Sequence, residues 1–243
     1  MSFWQRVLDF IFPVEERCFN CGSYYKSSEL KGICPDCLAG MSFIENYCQY
    51  CGRALIGQSL GEDKNYCERC SKQDLSFDYA RSITLYKGVI RTLLIKFKYY
   101  QETSLSKPLG QLLAMYYQYY YGKEKIDYLI PIPLHKKRFT ERGYNQVELL
   151  ADELAYETGL SVLKNVMLRE IATKPLYSLS AIKRSEVIRG CFTLDTNTKL
   201  SSKGILLLDD IMTTGTTVNE AARVLKNEGD SGPVYVLTLA SGQ

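Results

Sequence analysis

The sequence predicts an α/β fold, a mostly parallel sheet covered on both sides by helices, preceded by a small cysteine-rich unit. Two observations predict it. From about residue 76 onward, apolar strand-like runs alternate with amphipathic stretches, and strands alternating with helices bury both faces of a parallel sheet. Eight of the nine cysteines fall before that point, in Cys-x-x-Cys pairs. With 46% hydrophobic and 23% charged residues, 17 Gly and 7 Pro among 243 positions, the chain is neither disordered nor fibrous. Charged or polar side chains interrupt every apolar run before the ~18 residues that cross a bilayer, so a membrane span is not expected.

The first element is a short amphipathic helix over residues 2–12, which docks on its own protein; Arg6 and Asp9 within it, and the lack of a basic leader, argue against a signal peptide. The cysteines follow as Cys18/Cys21, Cys34/Cys37, Cys48/Cys51 and Cys67/Cys70, with 12, 10 and 15 residues between pairs. Two cysteines spaced by two residues aim both sulfurs at one cation, and two such knuckles complete a tetrahedral Zn²⁺ site. Consecutive pairs give two zinc ribbons; an interleaved pairing is the alternative. Gly22 and Gly52 each follow the second cysteine of a pair, where a knuckle turning back under sulfur needs positive φ. A closed Cys₄ site has no position for substrate, so the zinc is structural. Four pairs in a chain without a secretory leader fit neither a disulfide scaffold nor a thioredoxin-like redox centre.

Cysteine then disappears and the composition changes, which places a boundary near residue 75, between a unit at 1–75 and another at 76–243. In the second unit Phe77–Tyr86 reads as a strand. Helical spacing follows at Ile90, Leu93, Leu94 and Phe97, and again at Leu109, Leu112, Leu113, Tyr116 and Tyr120. The tyrosine run 116–121 reads as a helix with one packed face and exposed phenols, rather than as a platform for stacking bases. Asp127–Pro133 is a strand, Val147, Leu150, Ala151 and Leu154 mark a helix, and Cys191 sits as a small buried hydrophobe in a Gly-Cys-Phe strand. Gly204–Asp210 is a buried strand, Val218, Ala221, Ala222 and Leu225 share one helix face, and Pro233–Leu239 closes the sheet.

Charge is unevenly spread. Residues 1–75 carry eight Lys/Arg against ten Asp/Glu, while residues 81–142 carry twelve against four. A basic block of this kind attracts phosphates and nucleic acid.

The run Asp209-Asp210-Ile211-Met212-Thr213-Thr214-Gly215-Thr216-Thr217 carries the chemistry. A buried strand delivers two carboxylates to its C-terminal end, and a hydroxyl-rich turn with one glycine leads into a helix. Backbone N–H groups at the helix start enclose a phosphate, and the threonine hydroxyls donate to its remaining oxygens. The carboxylates suit ribose hydroxyls, or a Mg²⁺ shared with them. The expected ligand is a sugar phosphate; a Walker loop is contradicted by the absent Gly-Lys-Ser/Thr ending.

This run resembles the phosphoribosyl pyrophosphate (PRPP) motif of type I phosphoribosyltransferases. Tyr86–Phe97, Ile130-Pro131-Ile132-Pro133-Leu134, Arg138-Phe139-Thr140-Glu141-Arg142-Gly143-Tyr144-Asn145-Gln146 and Arg189-Gly190-Cys191-Phe192 narrow the resemblance to the ComF/GntX family, in its ComFC-type competence branch, and the four cysteine pairs fit that family's double zinc ribbon. The resemblance implies a type I phosphoribosyltransferase-like sheet. It implies that Asp209 and Asp210 face the ribose and that Thr213, Thr214, Gly215, Thr216 and Thr217 hold the 5-phosphate. Pro131, Ile132, Pro133 and the residues up to His135 would form the loop near pyrophosphate, with Lys96, Arg138, Arg142 and Asn145 lining the same cleft. The chain departs from the family pattern at Thr173-Lys174-Pro175-Leu176 and Val187, where two polar contacts are missing.

The resemblance further implies a cytoplasmic protein of DNA uptake and natural transformation that binds single-stranded DNA and retains a PRPP-type pocket. A Mg²⁺-dependent transferase displacing pyrophosphate through an oxocarbenium-like state is a second expectation; no acceptor base is assignable, and His135, the single histidine, reads as a loop residue. A third is an adaptor whose zinc unit docks the competence helicase of the same pathway.

Overall fold

The computed structural model describes residues 15–55, 66–71, 75–170, 190–195 and 198–242. The expected helix at 2–12 and the family departures at 173–176 and 187 lie outside the described residues.

Five parallel strands form the central sheet, in the order β3, β9, β8, β4, β5. They are β3 (Tyr79–Leu85), β4 (Tyr128–Pro131), β5 (Ser161–Val162), β8 (Ile205–Met212) and β9 (Val234–Ser241). The alternation of side chains along β8 divides the core in two. Leu206 and Leu208 pack with α2 (Gly88–Tyr99), α3 (Ser106–Tyr121) and α5 (Gln146–Thr158), whereas Ile205 and Leu207 pack with α6 (Thr216–Asn227) and a hairpin of β6 (Met167–Arg169) and β7 (Phe192–Leu194). Helices therefore cover both faces, as the alternating pattern requires. Pro131 ends β4 beyond the two residues that pair with β5, so its missing N–H interrupts no ladder on that side.

In the cysteine-rich unit, β1 (Glu16–Arg17) and β2 (Tyr24–Tyr25) form a minimal hairpin, and α1 (Pro35–Ala39) carries Cys37. Its residues enter the same apolar clusters as the sheet: Cys18, Cys34 and Cys37 pack with the α2–α3 layer, and Cys48, Cys51 and Cys67 with the α6 layer. Backbone bonds knit it to β3, with Ile44 N–H donating to Ile83 O at 2.9 Å and Ala80 N–H to Tyr50 O at 2.8 Å. Arg81, buried among Tyr47, Tyr79 and Tyr120, clamps the junction and donates to Gln49 O at 2.9 Å.

Two details differ from the sequence reading. In α3 the most buried tyrosines are Tyr117 and Tyr121, with Tyr116 and Tyr120 only partly covered and Tyr119 76% exposed. The inward stripe runs by fours from Leu109 through Leu113 to Tyr117 and Tyr121. Tyr121 stacks on Tyr79 at 5.2 Å and its hydroxyl donates to Val236 O. Second, β8 does not stop at the acidic pair but continues to Met212, because β9 pairs with it as far as Ser241.

Candidate functional site

The cysteines resolve into two clusters built from consecutive pairs, Cys18/Cys21/Cys34/Cys37 and Cys48/Cys51/Cys67/Cys70, with all ligand atoms in each within 4.8 Å of one another. This excludes the interleaved arrangement. The sulfurs of Cys21 and Cys34, and of Cys51 and Cys67, lie 3.7 Å apart, close to the ~3.8 Å edge of a tetrahedron with ~2.3 Å arms. Cys34 N–H points at Cys18 Sγ (3.4 Å) and Cys67 N–H at Cys48 Sγ (3.3 Å), while Asn20 donates to Cys37 Sγ at 3.1 Å. Gly22 and Gly52 have φ of +78° and +66°. Burial pushes the Cys37 and Cys70 thiols up to about 12, a cost that a central cation removes by taking the sulfurs as thiolates. Both donor sets fit structural Zn²⁺.

Near its C-terminal end β8 presents Asp209 and Asp210 on opposite faces. Asp210 is buried: Lys98 Nζ lies 2.8 Å from its Oδ1, and Gln146 Nε2 donates to its Oδ2 at 2.7 Å. Gln146 in turn accepts from Arg142 through its own oxygen. Asp209, half-buried on the α6 side, accepts from Asp210 N–H at 2.9 Å. Burial, then the neighbouring Asp210 charge, pushes its carboxyl up, and Lys98 and Arg169 partly offset this. Both Asp210 oxygens are thus engaged by α2 and α5, and the two carboxylates do not converge on one point. The acidic pair as placed does not form a joint Mg²⁺ site.

Beyond Met212 the chain turns at Gly215, which has φ +71° and starts α6. This left-handed position is one a β-carbon would strain. No side chain caps α6, so among the described residues its first N–H groups have no side-chain acceptor, and orphan donors at a helix start favour an anion. Thr214 and Thr216 hydroxyls hydrogen-bond each other at 2.8 Å across the turn, and Arg53 donates to Thr213 O at 3.1 Å.

The cations expected in the cleft divide. Arg138 and Arg142 line a pocket of about 110 Å³ together with Lys98. Lys96 does not join them: it donates to Phe19 O and Asn20 O of the first zinc knuckle. Residues two apart on a helix leave it about 200° apart, so Lys98 turns to the sheet where Lys96 turns to the ribbon. Asn145, 3% exposed, is absorbed in structure. Its Oδ1 accepts from Val147 N–H at 3.0 Å to cap α5, and its Nδ2 donates to Glu148 at 2.9 Å and Ile132 O at 3.3 Å, pinning the loop after β4. His135 opens α4 (Lys136–Arg142). Its Nδ1 accepts from Lys137 N–H at 3.1 Å, which leaves the proton on Nε2 for Glu170 O at 3.1 Å. A cavity of about 640 Å³ opens beside Pro131, Pro133 and His135, with Arg169 on its wall.

Residues 7–71 match the double zinc ribbon domain family. Most of the chain is homologous to competence protein F of Haemophilus influenzae, 27% identical over 88% of this chain and 92% of the relative. It is likewise related to competence protein ComFC of Bacillus subtilis, 26% identical over 96% and 88%, and to DNA utilization protein YhgH of Escherichia coli, 24% identical over 82% and 86%. The resemblance read from the sequence is borne out by these relatives. Among solved structures, the chain is similar to adenine phosphoribosyltransferase of Leishmania tarentolae (TM-score 0.37, 11% identity, 58% of this chain and 73% of that one) and hypoxanthine phosphoribosyltransferase of Staphylococcus aureus (TM-score 0.33, 18% identity, 57% and 62%). No helix among the described residues is long and apolar enough to cross a membrane.

Proposed function

We propose that this chain is a cytoplasmic competence protein that handles single-stranded DNA during uptake and holds a phosphorylated pentose, PRPP or a related ribose phosphate, in the loop between β8 and α6. The observation that carries the ligand reading is the uncapped start of α6 behind Gly215, with Thr214 and Thr216 hydroxyls beside it. Four threonines in five residues exceed what one helix cap needs. In this reading the 5-phosphate sits on the backbone N–H groups of the loop and the first turn of α6. Asp209, rather than Asp210, receives the ribose hydroxyls, since Asp210 is engaged by Lys98 and Gln146. Arg138 and Arg142, in the pocket beside the Lys98–Asp210 pair, supply the cations for the pyrophosphate end.

The competence reading is supported by relatives named as competence and DNA utilization proteins, which align along most of the chain. The excess of Lys and Arg over residues 81–142 suits contacts to a phosphate backbone.

Calorimetric titration with PRPP tests the pocket. Asp209→Asn is expected to weaken binding ~10–100-fold, the loss of one charge-assisted hydrogen bond, while zinc content stays at two ions per chain. Equal affinity in Asp209→Asn and the parent removes Asp209 from the site. For the nucleic-acid part, retention of a single-stranded oligonucleotide at low salt and its steep loss as salt rises is the expected result; no retention at any ionic strength rejects it.

A further inference from the structure

We infer that the second zinc ribbon is a working part of the phosphate loop, with Arg53 as the positioning residue that joins them; the ligand side of this rests on the reading above. Arg53 stands two residues after Cys51, and its carbonyl accepts from Cys48 N–H at 2.8 Å, so its backbone belongs to the metal knuckle. Its guanidinium reaches across to Thr213 O at 3.1 Å. The knuckle itself cannot drift. A β-carbon on Gly52 would lie 2.5 Å from Ala80 O and 2.8 Å from Arg81 Cα, so the turn rests directly on the backbone of β3. The first ribbon has a different attachment, to α2 through Lys96.

The crevice shared by Cys51, Arg53, Arg69, Thr213 and Gly215 holds only about 10 Å³, room for at most one water. It is a seal, not a second ligand site, and Arg53 therefore acts through the loop. The consequence is geometric. In a trans peptide the carbonyl and the following N–H point in opposite directions, so fixing Thr213 C=O toward the ribbon turns Thr214 N–H away from it. That N–H is the first donor of the turn that leads into α6. Without the guanidinium, the peptide between Thr213 and Thr214 is free to rotate and the donors lose their common aim.

The test uses the full zinc-loaded chain, with PRPP titrated into the parent, Arg53→Ala and Arg53→Lys, and amide hydrogen exchange followed over residues 213–218. Arg53→Ala is expected to lose about tenfold in affinity, ~1.4 kcal/mol, and to exchange faster at 213–218, with zinc content and melting temperature unchanged. Arg53→Lys keeps a donor and is expected to retain affinity within about threefold. Parent and Arg53→Ala binding PRPP equally overturns the inference and leaves the ligand reading standing. Equal losses in both variants together with a lower melting temperature also overturn it, since they mark general destabilisation. A parent that binds no PRPP defeats the ligand reading instead; the strut then stands or falls on exchange, and unchanged rates at 213–218 in Arg53→Ala reject it.

Discussion

Cys34→Ser is expected to release one of two zinc ions and to loosen more than the ribbon in which it lies. Cys34 and its neighbours Leu30 and Ile33 are buried in the same apolar cluster as Ile90, Leu93, Leu94 and Phe97 of α2. Structural zinc contributes on the order of 10 kcal/mol or more to the folding of small metal domains. Here part of that is retained by packing against α2, so a loss of several kcal/mol is expected, enough to lower the melting temperature by ~10 °C or more at 2–4 °C per kcal/mol for a domain of this size. Zinc per chain, measured by atomic emission, should fall from two to one. Two ions retained by the variant would show that Cys34 is not a ligand.

Lys98→Met carries the second large effect. Asp210 is 4% exposed, and Lys98 is its one salt-bridge partner among the described residues. Removing the ammonium leaves a buried carboxylate with the Gln146 amide alone, and breaking a buried pair from one side costs about 3–5 kcal/mol. Thermal melting is expected to fall by ~6–20 °C. The double variant Lys98→Met with Asp210→Leu should recover part of that loss, because an apolar pair of similar volume removes the desolvation penalty with the charge, while the buried Gln146 amide loses its acceptor. The difference between single and double variants measures the coupling directly. A single variant that melts with the parent would mean that the pair is solvated and that Asp210 is free to face a ligand.

These two residues also show where sequence reading reaches its limit. The parallel sheet, the zinc knuckles and the loop at 213–217 are written in local patterns: apolar runs, cysteine spacing, and a glycine among threonines. Ile90, Leu93, Leu94 and Phe97 are buried as their spacing requires, and so are Val218, Ala221, Ala222 and Leu225. The choice between Lys96 and Lys98 is not local. Both lie on a helix with a well-defined apolar face, and only the position of the first ribbon at one side and Asp210 at the other decides which lysine serves which. Likewise α4, with no buried residue, has no apolar periodicity to announce it. The β6–β7 hairpin joins strands more than twenty residues apart in the chain, and pairing at such separation leaves no short-range signature. Arg53 reads in sequence as an ordinary residue beside a zinc knuckle; its bond to Thr213, 160 positions away, exists only in the folded chain.

A crystal structure of the zinc-loaded chain grown with PRPP decides the main assignment. The 5-phosphate is expected within hydrogen-bond distance of the backbone N–H groups of Thr214 to Thr217, with the ribose hydroxyls toward Asp209. A loop left empty at saturating ligand, or a phosphate held elsewhere on the chain, would contradict it.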